Sequence, residues 1–234
     1  KKSNYTMTDD NTLRVIKSNN LVNDFDSILS KLKYDKFFIL TDEHTINLCY
    51  PLLESIQSVS SADKIIVSAG DVNKTLENLA HIWKHLTDHG ATRHSLLVNL
   101  GGGMITDIGG FAAATFKRGI KYVNIPTTLL GAVDASVGGK TGINFNGLKN
   151  EIGTFCNANF VLLCTDFLTT LDSANLLSGY AEMLKHGLIS NIDMLAGLLN
   201  FDVCHIQDKE QRLQLSRMIS DSVEVKKNIV EKDP

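Results

Sequence analysis

Along the first two thirds of the chain, short apolar runs rich in β-branched and aromatic residues alternate with longer stretches whose apolar positions recur every three to four residues. "TLRVIK" (12–17) precedes "LVNDFDSILSKL" (21–32), and "KFFILTD" (36–42) precedes "HTINLCYPLLESI" (44–56). "KIIVSAG" (64–70) precedes "KTLENLAHIWKHLTDHG" (74–90), and "SLLVNL" (95–100) runs straight into a glycine-rich stretch. Further strands are predicted at "YVNIP" (122–126) and "FVLLCTD" (160–166). Strand and helix in turn predict an α/β fold, a parallel sheet covered by helices on both faces. From about Leu171 the strand pattern stops. "NLLSGYAEMLKHGLI", "MLAGLLNF" and "RLQLSRMISDSVEVKKNIV" then read as consecutive helices. A boundary near Thr170 divides the chain into an α/β domain, 1–170, and the start of an all-helical domain, 171–234.

The strand "SLLVNL" opens into "GGGMITDIGGFAAATFKRG", residues 101–119. Three consecutive glycines cost backbone entropy and are kept where the chain turns sharply or another group approaches closely. Beyond the carboxyl end of a parallel strand, such a turn into a helix presents free N–H groups to an anion, and suits the pyrophosphate of a dinucleotide. The G-x-G-x-x-G fingerprint is not met, since Thr106 stands where its third glycine belongs. A tight turn with close helix packing, served further by Gly109 and Gly110, is the alternative reading. Asp42, ending the second strand, fits either a ribose hydroxyl or a helix cap.

A second dense stretch is "IPTTLLGAVDASVGGKTGINFNGLKN", 125–150. Its "GKT" imitates a Walker A loop, but the required first glycine is Asp134, an acid that would oppose phosphate. Asp134, Lys140, Lys149 and Asn150, read as a polar loop segment, suit an oxygenated anionic substrate, although each alone also fits a solvated loop. In the third stretch, "SGYAEMLKHGLI", Glu182, Lys185 and His186 share one helix face. A surface ion pair is the commoner reason for that spacing; one carboxylate alone is a weak metal signal.

With 234 residues, 43% of them hydrophobic, the chain can build one large or two modest cores, and a net charge of −3 gives no bulk attraction to nucleic acid or to an anionic membrane. Four cysteines without a C-x-x-C pair, and no secretory signal or spanning segment, point to the cytoplasm. The missing initial methionine and the end within a polar helical pattern lead us to expect part of a longer protein.

Taken in order, "GGGMITDIGGFAAATFKRG", "IPTTLLGAVDASVGGKTGIN", "KN-IG-F" from Lys149 to Phe155, "TDFLTTL" and "GYAEMLKHGLI" resemble the 3-dehydroquinate synthase family, over a stretch from about Phe38 to the end. The resemblance implies an NAD-binding α/β domain, a helical domain, and a zinc or cobalt site between them. It implies a homodimer acting on a small phosphorylated sugar acid. The implied reaction converts 3-deoxy-D-arabino-heptulosonate 7-phosphate to 3-dehydroquinate and phosphate, in the shikimate pathway, with NAD regenerated in each cycle. Asp42, His44, Asp71 and Lys74 match adenosine and ribose contacts, with Asp71 where the family usually has glutamate. Gly102, Gly103 and Asp107 match the pyrophosphate turn and its partner; Thr127, Thr128, Lys149, Phe167 and Thr170 complete the NAD set. Asp134, Lys140, Asn150, Lys185 and Lys226 match substrate contacts, and Arg118 a phosphate contact reached from a neighbouring subunit. Glu182 matches the carboxylate metal ligand, and with Lys140 and Lys185 forms the implied catalytic set.

Two departures stand out. "GINFNGLKN" has Phe145 and Asn146 in place of the family's His and Pro, with the glycine one place early at Gly147. The family's two metal-binding histidines and its acid/base histidine find no match here, and neither His186 nor His205 falls at those positions. The chain itself is therefore expected to bind NAD without turnover, and to leave apolar helix faces exposed. Three other readings remain: a sister sugar-phosphate cyclase, an NAD-dependent polyol dehydrogenase, and a non-catalytic NAD-binding module.

Overall fold

The computed structural model describes residues 14–232. Six strands form one parallel sheet: β1 (Val15–Lys17), β2 (Phe37–Asp42), β3 (Asp63–Val67), β4 (Leu96–Gly101), β5 (Lys121–Pro126) and β8 (Phe160–Leu163), in spatial order β1-β8-β5-β4-β2-β3. Between β5 and β8 the chain makes a separate antiparallel hairpin of β6 (Lys140–Phe145) and β7 (Leu148–Phe155). The predicted first strand is shorter than read, and its Thr12 and Leu13 lie outside the described residues.

Central strands are buried on both faces, so their apolar residues run without polar alternation, as expected of a parallel sheet covered on both sides. In β4, Leu96, Val98 and Leu100 join one apolar cluster and Leu97 the other. The first cluster is closed by α1 (Leu21–Lys31), which buries Leu21, Phe25, Ile28 and Leu29 along one stripe and is capped by Asn20. The chain segment read as one helix over 44–56 breaks instead into α2 (Thr45–Leu48), a 3-10 turn at Tyr50–Leu52, and then α3 (Gln57–Ser60). Pro51 has no N–H to continue a helical ladder, which ends the first piece.

The opposite face is covered by α4 (Leu76–Asp88), capped by Thr75, and by α5 (Gly103–Thr115), which is apolar nearly all round. Two of the glycines in α5 serve packing. A Cβ on Gly109 would stand 2.1 Å from the Asn99 Oδ1, and one on Gly110 would stand 2.5 Å from the Thr141 Cγ2. Gly109 thereby lets the helix lie directly on a buried side-chain pair in which the Asn99 Nδ2 donates to the Asn124 Oδ1 at 2.9 Å.

After the 3-10 turn Thr165–Thr170 all is helix: α6 (Ser173–Ser190), capped by Asp172, then α7 (Ile192–Leu199) and α8 (Lys209–Val230). Leu176, Tyr180, Met183, Leu198, Leu215 and Ile219 belong to the same apolar cluster as the α5 face of the sheet. Leu188, Ile192 and Leu199 are nevertheless 71%, 73% and 68% exposed, in line with the expectation of uncovered apolar helix surface.

Candidate functional site

The carboxyl ends of β2, β4 and β5 open onto a cleft of about 820 Å³. That volume falls in the range of small-molecule and cofactor sites. Its floor is the glycine turn. Gly102 is the N-cap of α5 and offers no capping side chain, and the first backbone bond of the helix is from the Thr106 N–H to the Gly102 carbonyl. The amides of residues 103–105 are therefore left for an external acceptor, at the positive end of the helix dipole. Gly102 has φ −74°, open to any residue, so its glycine is required for space: a Cβ there would stand 2.9 Å from the Thr128 Cγ2. The close-packing reading of the glycines is seen at Gly109 and Gly110, while the turn at Gly102 leaves amides in the geometry an anionic group requires.

Most residues matched to NAD line this cleft: Asp42, His44, Asp71, Lys74, Gly102, Gly103, Asp107, Thr127, Thr128, Lys149 and Thr170. Asp42 is already committed. Its Oδ1 accepts from the His44 and Thr45 N–H groups at 2.9 and 2.8 Å, and its Oδ2 accepts from the Thr45 hydroxyl at 3.0 Å, so it secures the entry to α2, whose N-cap is His44. Phe167 is not among the residues lining the cleft: its side chain is fully buried in the core, and its carbonyl accepts from the hydroxyl of Thr170, which does line it, at 2.7 Å. Leu48, Cys49, Ala69 and Ser178 also line the cleft, and sequence reading did not single them out. Burial pushes the Cys49 thiol up in pKa, which keeps it protonated and inert at neutral pH.

Lys74 is the most buried charge of the cleft at 3% exposure. Its ammonium donates to the Asp107 carboxylate at 2.8 Å and to the Asn150 Oδ1 at 2.5 Å, with an Asp71 oxygen at 3.4 Å. Burial raises the Asp107 pKa despite this partner. Asp71 behaves oppositely: the Lys149 ammonium at 2.8 Å, and then Lys74, hold its carboxyl below the usual range.

A second pocket, of about 390 Å³, adjoins the first and shares Asp107, Asp134, Ala135 and Asn150 with it. Lys140, Thr141, Thr154, Phe155 and Lys226 are among the other residues of its wall. The stretch read as a polar loop is here corrected to the β6–β7 hairpin. Asn146 and Gly147 both have positive φ, 50° and 80°, at its two-residue tip. Asn-Gly between extended flanks is the strongest short-range hairpin signal and would have found it. Lys140 starts a strand rather than a helix, so "GGKT" is not a phosphate loop. Asp134 sits on a π-helical turn, Gly131–Ala135, and pairs with Lys226 from α8.

Glu182 and Lys185 do not line either pocket. They pair with each other at 2.7 Å on α6, while His186 is buried, 3.3 Å from Glu182 through Nε2 and 2.6 Å from the Ser222 Oγ through Nδ1. Burial lowers the pKa of His186. No group of three His, Cys, Asp or Glu side chains suited to a metal exists among the described residues, so these residues alone do not make a metal site. Arg118 lies past the far end of α5, just before β5, at the amino end of the strands and so at the opposite end of the sheet from the cleft.

Fold and cleft together define an α/β protein with a parallel sheet, whose cleft at the carboxyl ends of the strands is floored by a glycine turn. Residues 64–178 match the family model described as 3-dehydroquinate synthase N-terminal. A 3-dehydroquinate synthase of Parabacteroides distasonis is 53% identical over 221 residues, 94% of this chain and 62% of that protein. One from Pyrococcus abyssi is 42% identical over 209 residues, 88% of this chain and 60% of that protein. Among solved structures, the 2-epi-5-epi-valiolone synthase of Streptomyces hygroscopicus subsp. jinggangensis 5008, with NAD+ and Zn2+ bound, superposes with a TM-score of 0.85 at 25% identity, covering 99% of this chain and 64% of that one. The chain thus spans about three fifths of the length of the relatives it matches. Over most of its length it is similar to 3-dehydroquinate synthases, and its fold is that of a sugar-phosphate cyclase.

Proposed function

We propose that this chain supplies the NAD site and much of the substrate site of a 3-dehydroquinate synthase, a phosphate-eliminating lyase that converts 3-deoxy-D-arabino-heptulosonate 7-phosphate to 3-dehydroquinate plus phosphate. The observation that carries the reading is the pair of joined pockets: uncapped helix amides floor the larger, and two lysines, Lys140 and Lys226, wall the smaller. NAD, when bound, supplies a reversible hydride acceptor. The amides beyond Gly102 hold the pyrophosphate, Asp71 and Lys74 face the ribose, and Thr127 and Thr128 close the floor. Lys140, Lys226, Asp134 and Asn150 orient the substrate at the shared wall. Lys185 acts as a fixed cation rather than a base, because its bond to Glu182 raises its pKa. Glu182 is the metal ligand that these residues contribute toward zinc or cobalt. Identity of 53% to a 3-dehydroquinate synthase favours this reading over a sister cyclase.

Residues 1–170 then form the NAD-binding domain and 171–234 the start of the helical one. Arg118 serves the site only from a second copy, which makes a homodimer part of the proposal. The four cysteines are free, and no helix among the described residues is long and apolar enough to cross a membrane; both accord with a cytoplasmic place.

Two results are expected. Lys140→Ala removes a charge-assisted contact of roughly 1.5–3 kcal/mol, so affinity for a phosphonate analogue of the substrate falls about 10- to 150-fold while NAD affinity holds. Calorimetry with each ligand checks it, and the reverse pattern would move Lys140 to the cofactor site. Residues 1–234 with NAD and zinc should release no phosphate from substrate above the level of Glu182→Gln, because one carboxylate falls short of the three protein ligands usual for catalytic zinc. Release well above that control would mean that ligands such as His186 had been overlooked.

A further inference from the structure

One side chain of the hairpin has no part in the site as described so far, yet touches both halves of it. Asn144, half-buried in β6, makes three hydrogen bonds in different directions. Its backbone N–H donates to the Lys74 carbonyl at 2.8 Å, its Nδ2 donates to the Asp71 carbonyl at 2.8 Å, and its Oδ1 accepts from the Asn150 N–H at 3.0 Å. The first two bonds grip both ends of the turn 71–74, whose terminal residues Asp71 and Lys74 line the larger cleft. The third holds Asn150, which belongs to both pockets and has φ 54°, a left-handed conformation that asparagine adopts more readily than other non-glycine residues. The Asn150 Oδ1 accepts from the Lys74 ammonium, which closes the ring of contacts.

A donor and an acceptor on one short side chain are what this place requires. Aspartate has only acceptors and would set an oxygen against the Asp71 carbonyl; alanine offers neither. We propose that Asn144 is a positioning residue that joins the turn 71–74 and Asn150 into one unit, so that a nucleotide bound at the turn orders the anion pocket beside it. The proposal rests on the NAD reading given above.

The experiment combines calorimetry with NAD and amide hydrogen exchange read at Asn150 by NMR. In the parent, NAD should slow exchange of the Asn150 amide. In Asn144→Ala that amide should exchange faster even without NAD, NAD should no longer affect it, and NAD affinity should fall about 3- to 12-fold, the worth of one net hydrogen bond. Asn144→Asp keeps the acceptor and loses the donor: Asn150 should stay protected while NAD affinity falls as much. A merely structural role would lower the melting temperature of both variants and move the two readouts together. Unchanged NAD affinity in Asn144→Ala, or a parent Asn150 amide indifferent to bound NAD, would overturn the proposal alone. A parent that binds no NAD would overturn the cofactor reading and this one with it, and shows itself before any variant is made.

Discussion

Replacing Gly102 by valine is expected to lower NAD affinity by at least about 100-fold, a loss of roughly 2.7 kcal/mol or more. The backbone at Gly102 already has ordinary helix-entry angles, so valine meets no conformational barrier there. The cost is spatial. Even a bare Cβ stands 2.9 Å from the Thr128 Cγ2, and a branched side chain must either displace Thr128 or fill the space over the free amides. Both outcomes remove the anion's seat. Overpacking costs about 1–3 kcal/mol of stability, which leaves a core of this size cooperative. Calorimetry beside a thermal melt separates the two effects. A folded variant that bound NAD within threefold of the parent would show that the pyrophosphate lies elsewhere.

Lys74→Met should destabilise the protein by about 3 kcal/mol at neutral pH, the lower end of what breaking a buried ion pair costs. For a chain of this length that is a melting-temperature drop of about 6–12 °C. Methionine replaces the stem and leaves Asp107, itself largely buried, without its cation. The sign of the pH dependence follows from the raised Asp107 pKa. An acid whose folded pKa lies above its unfolded value of about 3.9 favours the native state below that value, and loses this contribution as pH rises through the folded one. Removing Lys74 raises the folded value further and widens the window upward. The deficit of the variant should therefore shrink as pH falls, since a protonated Asp107 needs no cation. Lys74→Met/Asp107→Asn should be more stable than Lys74→Met at pH 7. Melts from pH 4 to 8 test this: a deficit constant with pH, or a double variant no better than the single one, would remove Asp107 from the account.

Sequence alone was enough for the parallel sheet, because apolar runs such as "FFIL" and "LLVNL" admit burial on both faces and little else. The glycine turn was legible too, since its chemistry is that of the backbone and follows directly on a strand. The hairpin was passed over because Lys140, Lys149 and Asn150 drew attention as charges and amides, although Asn146-Gly147 carried the turn signal. Asn144 was hidden for another reason: its role depends on contacts with Asp71 and Lys74, some seventy residues earlier, which no local pattern encodes. Burial of Lys74 was likewise invisible, as lysine in a polar run reads as solvated until its carboxylate partners converge from α5 and the turn. Asp42 shows the reverse case, in which the hydrogen bonds are local ones that secure the entry to the following helix.

The strand order has a consequence for the order of folding. Among the described residues β1 pairs with β8 alone, with Val15 opposite Val161, so this strand cannot pair until nearly 150 residues more have followed it from the ribosome. At about 5–20 residues per second that wait is on the order of 10–30 s. Through it, β2 to β5 can assemble around the α5 face while Val15–Lys17 offers bare backbone to chaperones and proteases. Such distant pairing also slows refolding of the released chain, because the loop must close before the contact rewards it. The edge strand should therefore be the last part of the sheet to gain protection in a pulsed hydrogen-exchange experiment, after the glycine turn at the end of β4 has already formed.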